Sequence, residues 1–114
     1  MPHAELKYSS DLIFDAPALL RKVEETIQAK DSGSGACKGR AYPCDHVHHT
    51  HVLLEVCMLP KAHRDAAFIQ SLLSDLRDVL KSHIAQSCHM SLGIRFSDGG
   101  YITGVHVVDG VEPD

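Results

Sequence analysis

The residue with the greatest chemical reach in this sequence stands at its start. Pro2 follows the initiating methionine. Removal of Met1 is expected before so compact a residue, and it exposes a secondary amine with no side-chain rotamers. A free α-amino group has a reference pKa of about 8. Burial or neighbouring cations lower that value toward neutrality, where the amine can act as a general base. Cations are available along the chain: Lys38, Arg40, Lys61 and Arg64 all fall at loop or element ends. An arginine fork grips a carboxylate in bidentate fashion, and lysine adds a point charge. A solvated surface is the plainer use of each.

A second constellation is the run HVHHTH at 46–51, in a chain with nine histidines. On an extended backbone His46 and His48 share one side, and His49 and His51 the other. Cys44, His46, His48 and His51 are the ligand types zinc accepts. No Cys-x-x-Cys pair and no second spaced His pair accompanies them, so the competing reading is a polar turn rich in histidine. Four thiols are present, at Cys37, Cys44, Cys57 and Cys88. Only Cys37, beside Lys38 and near Arg40, has the electropositive neighbours that activate a nucleophilic cysteine. Cys57 and Cys88 fall in strands and read as small buried apolar residues.

These residues need elements to hold them. Residues 2–9 alternate in character and predict a short strand, with His3, Glu5 and Lys7 on one face. Asp15 is a candidate N-cap with Pro17 in the first turn. The helix that follows runs to about Lys30, with Leu19, Leu20, Val23 and Ile27 as its apolar stripe. DSGSG at 31–35 stops it. Residues 37–47 hold Lys38, Arg40 and Pro43 and predict a weak, irregular strand at best. HVLLEVCML at 51–59 is the strongest strand pattern and suits a central position. Ile69, Leu72, Leu73, Leu76, Val79, Leu80 and Ile84 predict a long helix from Arg64 to Gln86. CHMSLGIRF at 88–96 predicts another strand. Asp98-Gly99-Gly100 is a hairpin signal, and YITGVHVV at 101–108 is its expected returning strand.

The order gives two strand–helix–strand units, hence an α+β fold with both helices on one face of a mixed four-stranded sheet plus a C-terminal strand. The opposite face is expected to be bare and apolar, carrying Val52, Leu54, Val56, Leu92 and Ile94 or their opposite-face neighbours. Such a face calls for a second subunit.

Composition narrows the function classes. The 114 residues make one domain, 1–114, with 44% hydrophobic residues and a net charge of −4. A mildly acidic domain with scattered cations is a poor nucleic-acid binder. No apolar run approaches a membrane span. The N-terminus has no signal-peptide pattern, so a cytoplasmic location and reduced thiols are the expectations.

With Met-Pro-His at the start of a first strand, Tyr8-Ser9 at its end and Asp11-Leu12 opening the loop, the chain resembles the 5-carboxymethyl-2-hydroxymuconate isomerase family of the tautomerase superfamily. Basic residues near position 40, a further strand, a basic loop and a long amphipathic helix add to the likeness, which spans roughly residues 2–108. The resemblance implies a β-α-β-β-α-β trimer that interconverts enol and keto forms of an unsaturated carboxylate. It implies Pro2 as the acid/base and cationic side chains as the carboxylate holders. His3, Lys38, Arg40, Lys61 and Arg64 are the positions matched to substrate binding. No metal or organic cofactor is implied. The alternatives are the zinc protein described above and a non-catalytic trimeric scaffold of the same fold.

Overall fold

The computed structural model describes all of residues 1–114. Six elements follow in the order β1 (His3–Ser9), α1 (Ala16–Lys30), β2 (Lys38–Cys44), β3 (His51–Met58), α2 (Ala66–His83) and β4 (His89–Phe96).

Both helices begin where a carboxylate caps them. Asp15 accepts from the Ala18 amide at 3.0 Å, and Asp65 accepts from the Phe68 amide at 2.9 Å. Each cap satisfies an otherwise orphaned N–H, which stabilises by about 1 kcal/mol. The second helix is shorter than its hydrophobic pattern suggests. Asp65 holds the cap position, so Arg64 lies outside, and Ile84 is already extended at φ −109° and ψ 112°.

The sheet order is β2-β1-β3-β4. Strand β1 runs parallel to β2 and antiparallel to β3, and β3 runs parallel to β4. Each α-helix is thus the crossover between two parallel strands. Ala4, Leu6, Val52, Leu54, Val56 and Met58 face the helices. They close a core of sixteen buried residues with Leu19, Val23 and Ile27 of α1 and Leu72, Leu76, Val79 and Leu80 of α2.

Three expectations change. Residues 38–44 form a regular strand, paired with β1 from His3↔Lys38 to Ser9↔Cys44. Pro43 is tolerated because β2 is an edge strand. Gly39 lets α1 come close: a Cβ there would stand 3.3 Å from Leu20 Cδ2. Second, the face away from the helices is polar. The residues that alternate with the core positions are His3, Glu5 and Lys7 on β1, Lys38, Arg40 and Tyr42 on β2, His51, Leu53, Glu55 and Cys57 on β3, and His89, Ser91 and Arg95 on β4, so Leu53 and Cys57 are the apolar members of a mostly polar face. Val52, Leu54, Val56, Leu92 and Ile94 pack toward the helices, so no apolar open face exists. Third, residues 101–108 do not return as a strand in this chain. Asp98 makes the turn, accepting from the Gly100 amide at 2.8 Å. The segment beyond it has only one isolated bridge, between Val108 and Val111.

Candidate active site

Pro2 immediately precedes β1 and is fully buried. Its carbonyl accepts from the Lys38 amide at 2.9 Å, extending the β1–β2 ladder by one step beyond the strands proper. Because β1 and β2 are parallel, their N-terminal ends meet there. That places Pro2, His3 and Lys38 together although 35 residues separate the last two in the chain.

On the open face the side chains of β1 and β2 interlock. Arg40 Nη2 lies 2.9 Å from His3 Nδ1. A guanidinium has no acceptor, so it donates, and the neutral imidazole carries its proton on Nε2. Arg40 Nη1 also stands 3.7 Å from Glu5 Oε1, and the Tyr42 hydroxyl donates to the same oxygen at 3.0 Å. Burial first, and the Arg40 charge second, hold the His3 imidazole below its ordinary pKa. The hydrogen bond to Glu5 pushes the Tyr42 phenol up. Lys38 differs from Arg40: no carboxylate of the chain pairs with it.

The C-terminal segment supplies the remaining wall. The Tyr101 hydroxyl donates to the Met1 carbonyl oxygen at 3.0 Å, and Thr103 Oγ1 lies 3.6 Å from Met1 Sδ. The Tyr101 ring meets the His3 ring edge-on at 6.5 Å. Between them is a cleft of about 550 Å³ lined by Met1, His3, Lys38, Tyr101, Val105 and His106, among others. Its size suits a small organic acid. The cleft holds the unpaired Lys38, the imidazoles of His3 and His106 and the phenol of Tyr101, and the buried Pro2 stands between two of its lining residues, Met1 and His3.

Two of the sequence candidates lie elsewhere. Arg64 is buried, with Nη2 2.8 Å and Nε 2.9 Å from Asp31 Oδ2. Its third contact is Nη1 to the Leu59 carbonyl at 2.5 Å. All its donors point into the fold, so it ties α1 to the loop before α2. Lys61 sits on the same loop, with Nζ 3.4 Å from the Gly33 carbonyl. Neither lines the cleft.

Cys37 is buried, and burial first and the nearby Glu24 second push its thiol up to about 11. That is the opposite of an activated nucleophile. In the His-rich loop the His48 and His49 rings lie 4.1 Å apart, and His51 Nδ1 is 2.8 Å from the His49 carbonyl. Cys44 stands 3.7 Å from the Tyr42 carbonyl. No three His, Cys, Asp or Glu side chains converge around a point a metal ion could occupy. Cys44, His46, His48 and His51 are not assembled as a ligand set.

Tyr101 is the site residue that sequence reasoning missed. The Asp98-Gly99-Gly100 turn marks a reversal of the chain there. Only the packing shows that the reversal delivers Tyr101 to the N-terminus instead of to a partner strand.

No family model matches the sequence, and no curated protein matches it. Solved structures do. The crystal structure of a 5-carboxymethyl-2-hydroxymuconate delta-isomerase aligns over 96% of this chain and 89% of its own, with TM-score 0.68 and 18% identity. That of a 5-carboxymethyl-2-hydroxymuconate isomerase from Deinococcus radiodurans R1 aligns over 90% and 88%, with TM-score 0.68 and 19% identity. A fused 4-OT wild-type symmetric trimer aligns over 96% and 94%, with TM-score 0.71 and 11% identity. The β-α-β-β-α-β chain, with two helices on one face of a four-stranded mixed sheet, has the tautomerase fold of these isomerase structures.

Proposed function

We propose that the protein is a tautomerase-type isomerase that interconverts the enol and keto forms of an unsaturated carboxylate, 5-carboxymethyl-2-hydroxymuconate being the type of compound meant. The observation that carries this reading is the position of Pro2. It is buried at the head of β1, beside a cleft holding the unpaired Lys38 and the imidazole of His3. In a chain that begins at Pro2, the ring nitrogen is a secondary amine at that cleft. Burial and the cations Lys38 and Arg40 disfavour its protonated form and draw its pKa toward neutrality. The free amine takes the enol hydroxyl proton, and the resulting ammonium returns a proton to carbon at the far end of the conjugated system. Lys38 holds a substrate carboxylate. Arg40, already bonded to His3 and Glu5, spreads positive charge over the face on which the dienolate forms. The reading needs no metal or organic cofactor.

The isomerases of similar fold support this reading, and the symmetric 4-OT trimer supports a homotrimeric assembly. The test starts from intact mass, which reports whether Met1 is removed. Phenylenolpyruvate is then offered to three proteins: the chain beginning at Pro2, its Pro2→Ala variant, and a chain with an uncleavable residue ahead of Pro2. The rate for the first is expected to rise with pH through the lowered amine pKa and level off. Pro2→Ala should be slower by about 10²-fold, the scale of a positioned acid/base. The extended chain should be slower still, because an amide nitrogen cannot take the proton. Equal rates in all three eliminate the proline mechanism. No turnover by a chain with a proven free proline leaves the non-catalytic scaffold.

A further inference from the structure

The Met1 carbonyl holds its oxygen beside the Pro2 nitrogen, and that oxygen has a side-chain donor of its own. Its carbon is bonded directly to the Pro2 nitrogen, about 1.33 Å away as in any peptide. Its oxygen is therefore an sp² oxygen held two bonds from the atom that becomes the amine. One side chain meets that oxygen: the Tyr101 hydroxyl, which donates to it at 3.0 Å. When Met1 leaves, the acyl group leaves with it. A planar substrate that brings its own C–O unit to the Pro2 nitrogen enters the same space, and its oxygen faces the same donor. We propose that Tyr101 is a catalytic residue that donates a hydrogen bond to the enol oxygen of the substrate as that oxygen becomes the dienolate. This assignment rests on the tautomerase reading above and adds the group that receives the developing charge.

The surroundings fit that task. Tyr101 is only partly exposed, and its ring meets the His3 ring edge-on at 6.5 Å. Lys38 lines the same cleft, so a molecule bound there meets both groups. His3 is not the group that meets this oxygen: the hydrogen bond to the Met1 carbonyl comes from Tyr101, while Arg40 engages His3 at Nδ1. A donor aimed at an oxygen that gains charge during the reaction binds the transition state more tightly than the ground state. The proton count is unchanged. Pro2 takes the hydroxyl proton, Tyr101 keeps its own proton and only shares it, and the prolinium delivers a proton to carbon.

The test uses the full chain with its N-terminal proline confirmed by intact mass. Wild type, Pro2→Ala, Tyr101→Phe, and a chain with 3-fluorotyrosine at position 101 are assayed on phenylenolpyruvate across pH. Tyr101→Phe keeps the ring and the edge contact. It is expected to lower kcat by about 10²-fold, as for removal of an oxyanion donor, with KM little changed. Fluorination makes a phenol more acidic, and an ionised phenol cannot donate. Above the plateau that the Pro2 amine sets, loss of the phenol proton should bring an alkaline fall in rate, and that fall should begin at lower pH in the fluorotyrosine protein, which a purely structural tyrosine would not cause. If the phenylalanine variant fails to fold, the fluorotyrosine profile decides alone. An active wild type and a slow Pro2→Ala, with Tyr101→Phe at the wild-type kcat or an unmoved alkaline limb, overturn the Tyr101 assignment and leave the proline reading intact. No turnover by the wild type overturns both.

Discussion

Arg40 touches His3 and Glu5 at once, and that double engagement sets what His3 can do. The guanidinium occupies Nδ1, leaving Nε2–H as the free donor of the ring. Burial is the larger cause of the lowered His3 pKa, and the Arg40 charge comes next. Arg40→Ala should therefore raise the imidazole pKa without restoring it fully, as read from the ring proton shifts in an NMR titration. An unchanged titration would show that the contact is absent in solution. Since the folded-state pKa is depressed, the folded protein resists binding the proton that the unfolded chain accepts. Stability from this site is intact above the ordinary histidine value, about 6.5, and declines as pH falls below it. The same variant should weaken carboxylate binding less than Lys38→Ala does, because Arg40 keeps an internal carboxylate partner and Lys38 has none.

At the scale of elements, Asp31 is the joint of the helical layer. Its amide donates to the Ile27 carbonyl and closes the end of α1. Its carboxylate receives His63 Nε2 at 2.9 Å and the buried Arg64 from the loop before α2. The His63 hydrogen bond first, and the Arg64 hydrogen bond and charge, hold the Asp31 carboxyl below its ordinary range against the opposing effect of burial. Its contribution is complete above the ordinary aspartate pKa and is lost as pH falls through the lowered value. Asp31→Ala leaves a buried guanidinium unpaired, which costs about 3–5 kcal/mol. Denaturant melts should show that loss. Arg64→Ala should likewise lower stability, while KM for an acidic substrate stays at the wild-type value. A raised KM with an unchanged melting midpoint would return Arg64 to the substrate site.

The whole molecule is wider than its core requires. Its radius of gyration is 15.2 Å, against about 13 Å for a compact domain of this length. None of the sixteen core residues lies beyond Ile84, while Ile102, Val105, Val108 and Val111 stand exposed on the C-terminal segment. Those side chains, and the free outer edges of β2 and β4, are the surface a neighbouring subunit has to cover in the proposed trimer. A chain ending at Ser97 should retain its helical circular dichroism and a cooperative melt, yet lose turnover, because Tyr101 goes with the segment. Light scattering on the full chain should give three times the monomer mass. A monomer at micromolar concentration would remove the proposed assembly.

Local signals in the sequence determined the elements. Asp15 and Asp65 specify two helix starts, the stripes from Leu19 to Ile27 and from Leu72 to Leu80 specify their buried faces, and 51–58 specifies the central strand. These are patterns of near neighbours, and near neighbours are all that a period or a cap consults. The Pro-His opening carried the resemblance that pointed to the tautomerase fold. What the sequence left open depends on residues far apart along the chain. Lys38–Cys44, weak by its own composition, becomes a strand because β1 offers a parallel ladder beside it. The bare face proves polar because strand register, which no single strand reveals, sends Glu5, Arg40, Glu55 and Arg95 to one side. Arg64 leaves the set of carboxylate holders because Asp31, 33 residues earlier, is brought against it inside the fold. Tyr101 enters the site because a turn at 98–100 carries it back across 100 residues of chain to Met1.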